Sequence, residues 1–253
     1  MKYYQELAKL PTFTLQDATN IIGNKVSTSK FLNRMVKEKA INRIRQNLYT
    51  CVNFSTSDDF ANRFQIASNI TSDSFISFHT AFEFYGFYNQ LYFTVQVCST
   101  SRFLNFNYND YYYKNYPTNS LAQINIIQGV RVATIERTIV DSINILGKVM
   151  DCEELVKCLD LVHRIDENKI LEMLDIYDME VLYRKVGYIL SYYKDELSIS
   201  DSFFKKCKNK GVLSNKGYLI NNDKLSLTFN SNWGLYAYKN LRELAYKGGE
   251  EYV

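Results

Sequence analysis

An α+β fold is predicted for this chain: a small N-terminal winged helix-turn-helix over residues 1–56, followed by a larger mixed α/β domain over residues 57–253. Three observations carry that expectation. Phe31, Leu32, Met35 and Val36 repeat at the spacing of one buried helical stripe, and two short β-prone runs, Ile41–Ile44 and Leu48–Val52, follow at once. Charge is divided unevenly, because residues 1–53 hold nine Lys and Arg against three acids, a balance of +6 within a chain of net +3. Beyond residue 57, helical and period-two patterns are interleaved.

Within the first segment, Tyr3, Tyr4, Leu7, Ala8 and Leu10 give Lys2 to Leu10 an amphipathic helical spacing that ends before Pro11. A second helix opens at Thr14, with Asp17 three residues on in a capping-box arrangement. It carries Leu15, Ala18, Ile21 and Ile22 on its apolar side and stops at Gly23. Thr28 or Ser29 is expected to cap the third helix. On that helix Lys30, Arg34 and Lys37 fall four and three residues apart, on a face distinct from the apolar stripe. The turn Arg45-Gln46-Asn47 separates the two β-prone runs, and Asn47 tolerates the left-handed backbone that a tight reversal needs. A basic helix followed by a short basic hairpin points to phosphate contact rather than to an evenly solvated lysine face.

The polar stretch Asn53 to Ser57 reads as a linker. A helix is expected after Asp58 or Asp59 through Phe60, Phe64, Ala67 and Ile70, then a strand at Phe75–Ser77 and a helix over Thr80–Phe84 that ends at Gly86. Strand patterns follow at Leu91–Cys98, Phe103–Tyr113, Leu121–Ile127 and Gly129–Ala133. The next helix starts near Thr134 and ends at Gly147, with Arg137 and Asp141 four apart as an exposed pair. Residues 150–180 carry ten carboxylates against three cations and are expected as solvated amphipathic helices. Helices over Asp178–Glu196 and Asp201–Lys210, then a hairpin of Tyr218–Ile220 and Leu225–Phe229 across Asn221-Asn222-Asp223, complete the reading, with a frayed tail from Gly248 to Val253. The 21 Tyr and 16 Phe match a general enrichment in Asn, Lys, Ile, Tyr and Phe, so Tyr111-Tyr112-Tyr113 is not taken as a stacking platform.

No run approaches the roughly 20 apolar residues of a membrane span, and Glu6 and Lys9 stand where a signal peptide would be apolar, so no membrane association and a cytoplasmic location are expected. Five cysteines without a repeating spacing fit reduced thiols. Glu136, Arg137 and Asp141 are the residues one would nominate for catalysis, but carboxylates five apart on a helix point about 140° away from each other and cannot share a metal unaided. Cys152, Cys158 and His163 lack the close pairing of zinc ligands. No catalytic residue, metal or cofactor is therefore assigned, and the chain is not read as an enzyme.

Three stretches resemble the AbiEi antitoxin family: Arg45-Gln46-Asn47-Leu48-Tyr49, residues Phe75 to Gly86, and residues Val132 to Asp141. Asn47 stands where that family usually has a wing glycine, and Tyr85 where it often has His. The resemblance implies an antitoxin and transcriptional autorepressor of a type IV toxin–antitoxin (abortive infection, phage resistance) system that binds inverted repeats in double-stranded promoter DNA of its own operon. It also implies a nucleotidyltransferase-like toxin as functional partner, opposed without a stable complex, and a C-terminal domain that supports cooperativity and antitoxicity. The protein would be a monomer or weak dimer, cooperative on DNA. Lys30, Asn33, Arg34 and Lys37 are assigned to the major groove, and Arg43, Arg45 and Asn47 to phosphates or the minor groove. Lys25, Thr28 and Ser29 are assigned to the DNA backbone. The alternative is a winged helix that targets a protein-interaction module or a metal-dependent nucleic-acid enzyme.

Overall fold

The computed structural model describes residues 2–211, 216–220 and 226–245. The fold is α+β, and the chain divides into two compact units: Met1–Ile76, Phe93–Leu121 and Asn125–Val132 in the first, Ser77–Tyr92, Ala122–Ile124 and Ala133–Val253 in the second.

The first unit opens with α1 (Lys2–Leu7), α2 (Leu15–Ile22) and α3 (Lys25–Lys37), followed by an antiparallel hairpin of β1 (Ile41–Arg45) and β2 (Leu48–Cys51). The capping box of α2 forms as its sequence requires. The Thr14 amide donates to Asp17 Oδ2 at 2.8 Å, the Asp17 amide donates to Thr14 Oγ1 at 3.2 Å, and Gly23 closes the helix at φ 93°. α3 starts earlier than expected. Asn24 caps it, accepting from the Val26 and Ser27 amides at 3.0 Å, because Asn is as good an N-cap as Ser and an earlier start adds a turn of backbone hydrogen bonds. Leu7, Phe13, Ala18, Leu32, Ile41 and Cys51 form the buried core beneath these elements. Phe13 exchanges two 2.9 Å backbone hydrogen bonds with Tyr49, which adds a third rung beside β2.

Residues 53–57 fold back instead of running on as a linker. The Asn53 amide donates to the Asp58 carbonyl at 2.8 Å and the Phe60 amide to the Cys51 carbonyl at 2.9 Å, so segment 1–56 lies in one unit with the sheet that follows. Nor does Asp58 or Asp59 open a helix. α4 (Arg63–Ser68) is capped by Asn62 in a box with Gln65. Asp59 accepts instead from Asn42 at 2.9 Å, Tyr108 at 2.8 Å and Asn109 at 2.6 Å, a better use of a carboxylate than one exposed dipole contact.

Six strands build the sheet of this unit: β3 (Phe75–Ile76), β4 (Thr94–Ser99), β5 (Phe106–Tyr108), β6 (Tyr111–Pro117), β7 (Ile124–Ile127) and β8 (Val130–Ala133), in the order β5-β6-β4-β3-β8-β7. It is mixed, with β4 parallel to β6 and β3 parallel to β8, while β3–β4 and β5–β6 are antiparallel. Tyr113 of the tyrosine run is fully buried and stacks on Phe106 with centroids 4.9 Å apart, a core role.

The second unit holds α5 (Phe78–Tyr85), α6 (Ile135–Asn144), α7 (Cys152–Asp160), α8 (Glu167–Tyr177), α9 (Glu180–Leu190) and α10 (Asp201–Lys210). Thr134 caps α6, Gly86 ends α5 at φ 82°, and Gly211 follows α10, each at the position its sequence signal marks. Three short strands follow: β9 (Gly217–Tyr218), β10 (Thr228–Asn230) and β11 (Leu235–Ala237). Among the described residues the expected pairing of Tyr218 with the 225–229 run is not seen. β10 pairs antiparallel with β11, and β11 pairs parallel with β9, because Leu235 to Ala237 supplies a strand whose period was too short to see. The Asn221-Asn222-Asp223 turn and the Gly248–Val253 tail lie outside the described residues.

Candidate nucleic-acid interface

On α3, Leu32 is buried in the core and Phe31, Met35 and Val36 pack against it. A helix anchored by that stripe turns its other side to solvent, and Lys30, Asn33, Arg34 and Lys37 are exposed there, while Lys25, seven residues before Leu32, is exposed at the start of the helix. Ser29 is half-buried beside them. Arg34 lies 3.8 Å from Glu38, with both side chains more than half exposed, so the contact leaves the guanidinium available. The face is thus a row of cations with one amide, the donor set that phosphate oxygens and guanine or adenine edges accept from.

The hairpin contributes less than its sequence suggests. Arg43 is exposed, facing outward from β1. Arg45 is half-buried, its guanidinium carbon 5.5 Å from the Phe103 ring and 5.2 Å from the Phe106 ring, and burial lowers its pKa from the ordinary arginine value. It packs the hairpin onto the sheet of the same unit and is not presented as a phosphate contact. Asn47 adopts φ 63°, the left-handed turn its chemistry permits, but its Oδ1 accepts from the Leu15 amide at 3.0 Å and ties the turn to α2. Thr28 is fully buried, with its hydroxyl donating to the Asn24 carbonyl at 2.8 Å, so it offers nothing to a ligand. Four of the ten residues assigned from sequence therefore share the α3 face, with Lys25 and Ser29 on the first turns of the same helix and Arg43 on the hairpin. Arg45, Asn47 and Thr28 are structural, for reasons that lie in tertiary partners too distant in sequence to read.

Residues 77–86 and 133–141 of the other two stretches meet inside the second unit. Ser77 Oγ donates to Asp141 Oδ2 at 2.8 Å, Tyr177 Oη donates to Asp141 Oδ1 at 2.5 Å, and Arg137 Nε donates to Asp141 Oδ2 at 3.3 Å. Arg137 also donates to the Ala122 carbonyl, and Tyr85 Oη donates to the Ala133 carbonyl at 3.0 Å. The Arg137–Asp141 pair expected at the surface is buried, at 0% and 3% exposure, because α5, α8 and α9 all pack against α6. Glu136, also buried, accepts from the Asp166 amide at 3.0 Å. These side chains lock helices together. The acidic stretch 150–180 is likewise more than a solvated face: Glu154 is buried, Glu167 accepts from Ser200, and Glu172 accepts from Gln123.

One further cluster in this unit joins residues that sequence reasoning did not connect. His79 on α5 lies 2.9 Å, through Nε2, from Glu154 Oε1 on α7, and Cys158 Sγ lies 3.7 Å from the same oxygen. Gln90 donates to Glu154 Oε2 at 2.7 Å and the Tyr92 ring rests 3.9 Å from the imidazole. Burial alone would raise the Glu154 carboxyl, but hydrogen bonds from His79, Gln90 and Cys158 hold it below the ordinary glutamate value. Burial, then the Glu154 charge, pushes the Cys158 thiol well above the usual range. The i, i+4 spacing of Glu154 and Cys158 was the available signal; only the fold brings His79, rather than exposed His163, to meet them.

Among the described residues no helix is long and apolar enough to cross a membrane. No protein-family model matches the chain, and no curated protein does. Among solved structures, the chain is similar to the RV2827C protein from Mycobacterium tuberculosis, known by its crystal structure, with a TM-score of 0.68 at 10% identity over 98% of this chain and 93% of that one. At that identity the likeness is one of fold.

Proposed function

We propose that this protein is a DNA-binding antitoxin and transcriptional autorepressor of a type IV toxin–antitoxin system. Its first three helices and hairpin act as a winged helix-turn-helix, with α3 as the recognition helix in the major groove and the hairpin as the wing. The observation that supports this most is the α3 face, where Lys30, Asn33, Arg34 and Lys37 are exposed together on a helix whose opposite stripe is fixed in the core, with Lys25 exposed at the helix start. α2 and α3 are joined through only Gly23 and Asn24, and the positive-φ Gly23 gives the abrupt change of direction that a helix-turn-helix needs. Arg43 adds a cation on the wing.

The antitoxin assignment rests on the three family-like stretches. In this reading the protein acts in the cytoplasm on inverted repeats in its own promoter. The second unit supports cooperative repression and opposes a nucleotidyltransferase-like toxin without a stable complex. The test is a gel-shift measurement with the DNA upstream of its own gene against a scrambled duplex. The wild type should shift the upstream DNA selectively, and Lys30→Ala/Arg34→Ala/Lys37→Ala should lose the shift while keeping its circular dichroism spectrum. Equal binding of both duplexes, or an unaffected triple variant, overturns the reading.

A further inference from the structure

From the cluster on α5 and α7 we infer that the second unit carries a zinc-class metal site in which His79, Glu154 and Cys158 are the protein ligands. Three features of the cluster argue for it. The donor set is imidazole nitrogen, carboxylate oxygen and thiolate sulfur, which together select zinc or cobalt over calcium or magnesium. The three potential ligand atoms all lie within 4.8 Å of one another, close enough for one ion to reach all three. A tetrahedral ion with bonds of about 2.0 to 2.3 Å sets its ligand atoms roughly 3.3 to 3.7 Å apart. The Cys158–Glu154 separation of 3.7 Å already falls at that spacing, while the His79–Glu154 hydrogen bond at 2.9 Å must open by about half an ångström.

The surroundings suit a metal as well. His79 and Glu154 are 1% exposed and Cys158 is 0% exposed, and a carboxylate so enclosed needs a cation or donors on every side. Among the described residues His79 Nδ1 has no hydrogen-bond partner, so the proton that Nε2 gives to the Glu154 hydrogen bond has Nδ1 to move to, which leaves the Nε2 lone pair for an ion. Gln90 holds the second oxygen of Glu154 at 2.7 Å, the outer contact that orients a metal-bound carboxylate. On binding, the Cys158 thiol loses its proton to solvent, the His79 proton passes from Nε2 to Nδ1, and the ion takes the place of the thiol proton and of the His79–Glu154 hydrogen bond.

The experiment uses the full chain, stripped with a chelator and dialysed, then titrated with Zn²⁺ against a chromophoric chelator and, separately, with Co²⁺ under visible and near-ultraviolet absorption. One ion per chain, a rise in Tm on zinc addition, and a thiolate-to-cobalt charge-transfer band are expected. Cys158→Ser should abolish the band and His79→Gln should weaken binding at least tenfold, while Cys207→Ser, another buried cysteine of the same unit, should change neither. Gln90→Ala should weaken zinc by about tenfold to a hundredfold and leave the stoichiometry at one. Should Cys158→Ser or His79→Gln misfold, Gln90→Ala and the wild-type cobalt spectrum still decide. Absence of stoichiometric zinc, a cobalt spectrum without a thiolate band, or equal binding by wild type and the His79 and Cys158 variants overturns the site.

Discussion

At the scale of single residues, exposure separates side chains able to act on a partner from those that hold the fold. Arg34 is exposed on α3, so Arg34→Ala should leave the unfolding free energy within about 0.5 kcal/mol of wild type. If Arg34 makes a bidentate base contact, the same change should cost about 1 to 3 kcal/mol of operator binding and relax preference at one base pair, read by titrating single-base operator variants. Uniform weakening on every duplex would make Arg34 a phosphate contact instead. Asp141 is the opposite case. Asp141→Asn takes away the buried charge on which Ser77, Tyr177 and Arg137 converge and should lower stability by about 2 to 3 kcal/mol in urea unfolding. A loss below about 1 kcal/mol would show that the pair is not buried as described. Asp73 gives a pH-dependent prediction. Burial works against its charge, but hydrogen bonds from Thr100, Thr71 and Ser99 win and hold its carboxyl far below the ordinary value of 3.8. A depressed folded pKa means that stabilisation is complete above that ordinary value and fades only as pH falls through the lower, folded one. Asp73→Asn should therefore lower Tm at pH 7 and pH 5 alike, with the gap to wild type closing only in strongly acidic solution; a gap already closed at pH 5 would contradict this.

At the scale of elements, caps and glycines were the legible signals. The Thr14–Asp17 box, Gly23, Gly86 and Thr134 stand where the local chemistry requires, because each acts within four residues of itself. α3 was legible as an amphipathic basic helix for the same reason. Its start was not, since Asn24, Thr28 and Ser29 can all cap, and only the extra turn of hydrogen bonds chooses among them. The linker at 53–57 and the hairpin near residue 220 were misread because each depends on strand pairing between segments, which leaves no local period. Arg45 shows the limit most clearly. Its sequence neighbours read as a basic wing, yet Phe103 and Phe106, more than fifty residues away, draw the guanidinium onto their rings. Arg45→Lys should keep the charge but lose the planar stacking, and is expected to destabilise the first unit by about 1 kcal/mol in thermal unfolding; an unchanged Tm would return Arg45 to the surface.

At the scale of the whole molecule, charge and fold divide the labour. The +6 balance of residues 1–53 is concentrated on α3 and its hairpin, whereas the carboxylates of residues 150–180 are partly consumed as internal acceptors in the second unit. Net charge was legible from composition alone; which acids are buried was not, because amphipathic spacing does not say what packs against a helix. With Arg45 and Thr28 withdrawn, Lys25, Lys30, Arg34, Lys37 and Arg43 remain as the exposed cations of the proposed interface. The five positive charges these side chains bring onto the duplex displace the counterions of about five phosphates, whichever of them also touch bases, and that fixes how binding must respond to salt. The most direct measurement is the affinity for the upstream promoter duplex across a salt series. The account predicts selective binding whose log affinity falls against log salt with a slope of about −4 to −5, shallower by about one for each of these cations removed. A flat salt response, or a slope unchanged when Lys30 and Lys37 are replaced by Ala, would contradict it.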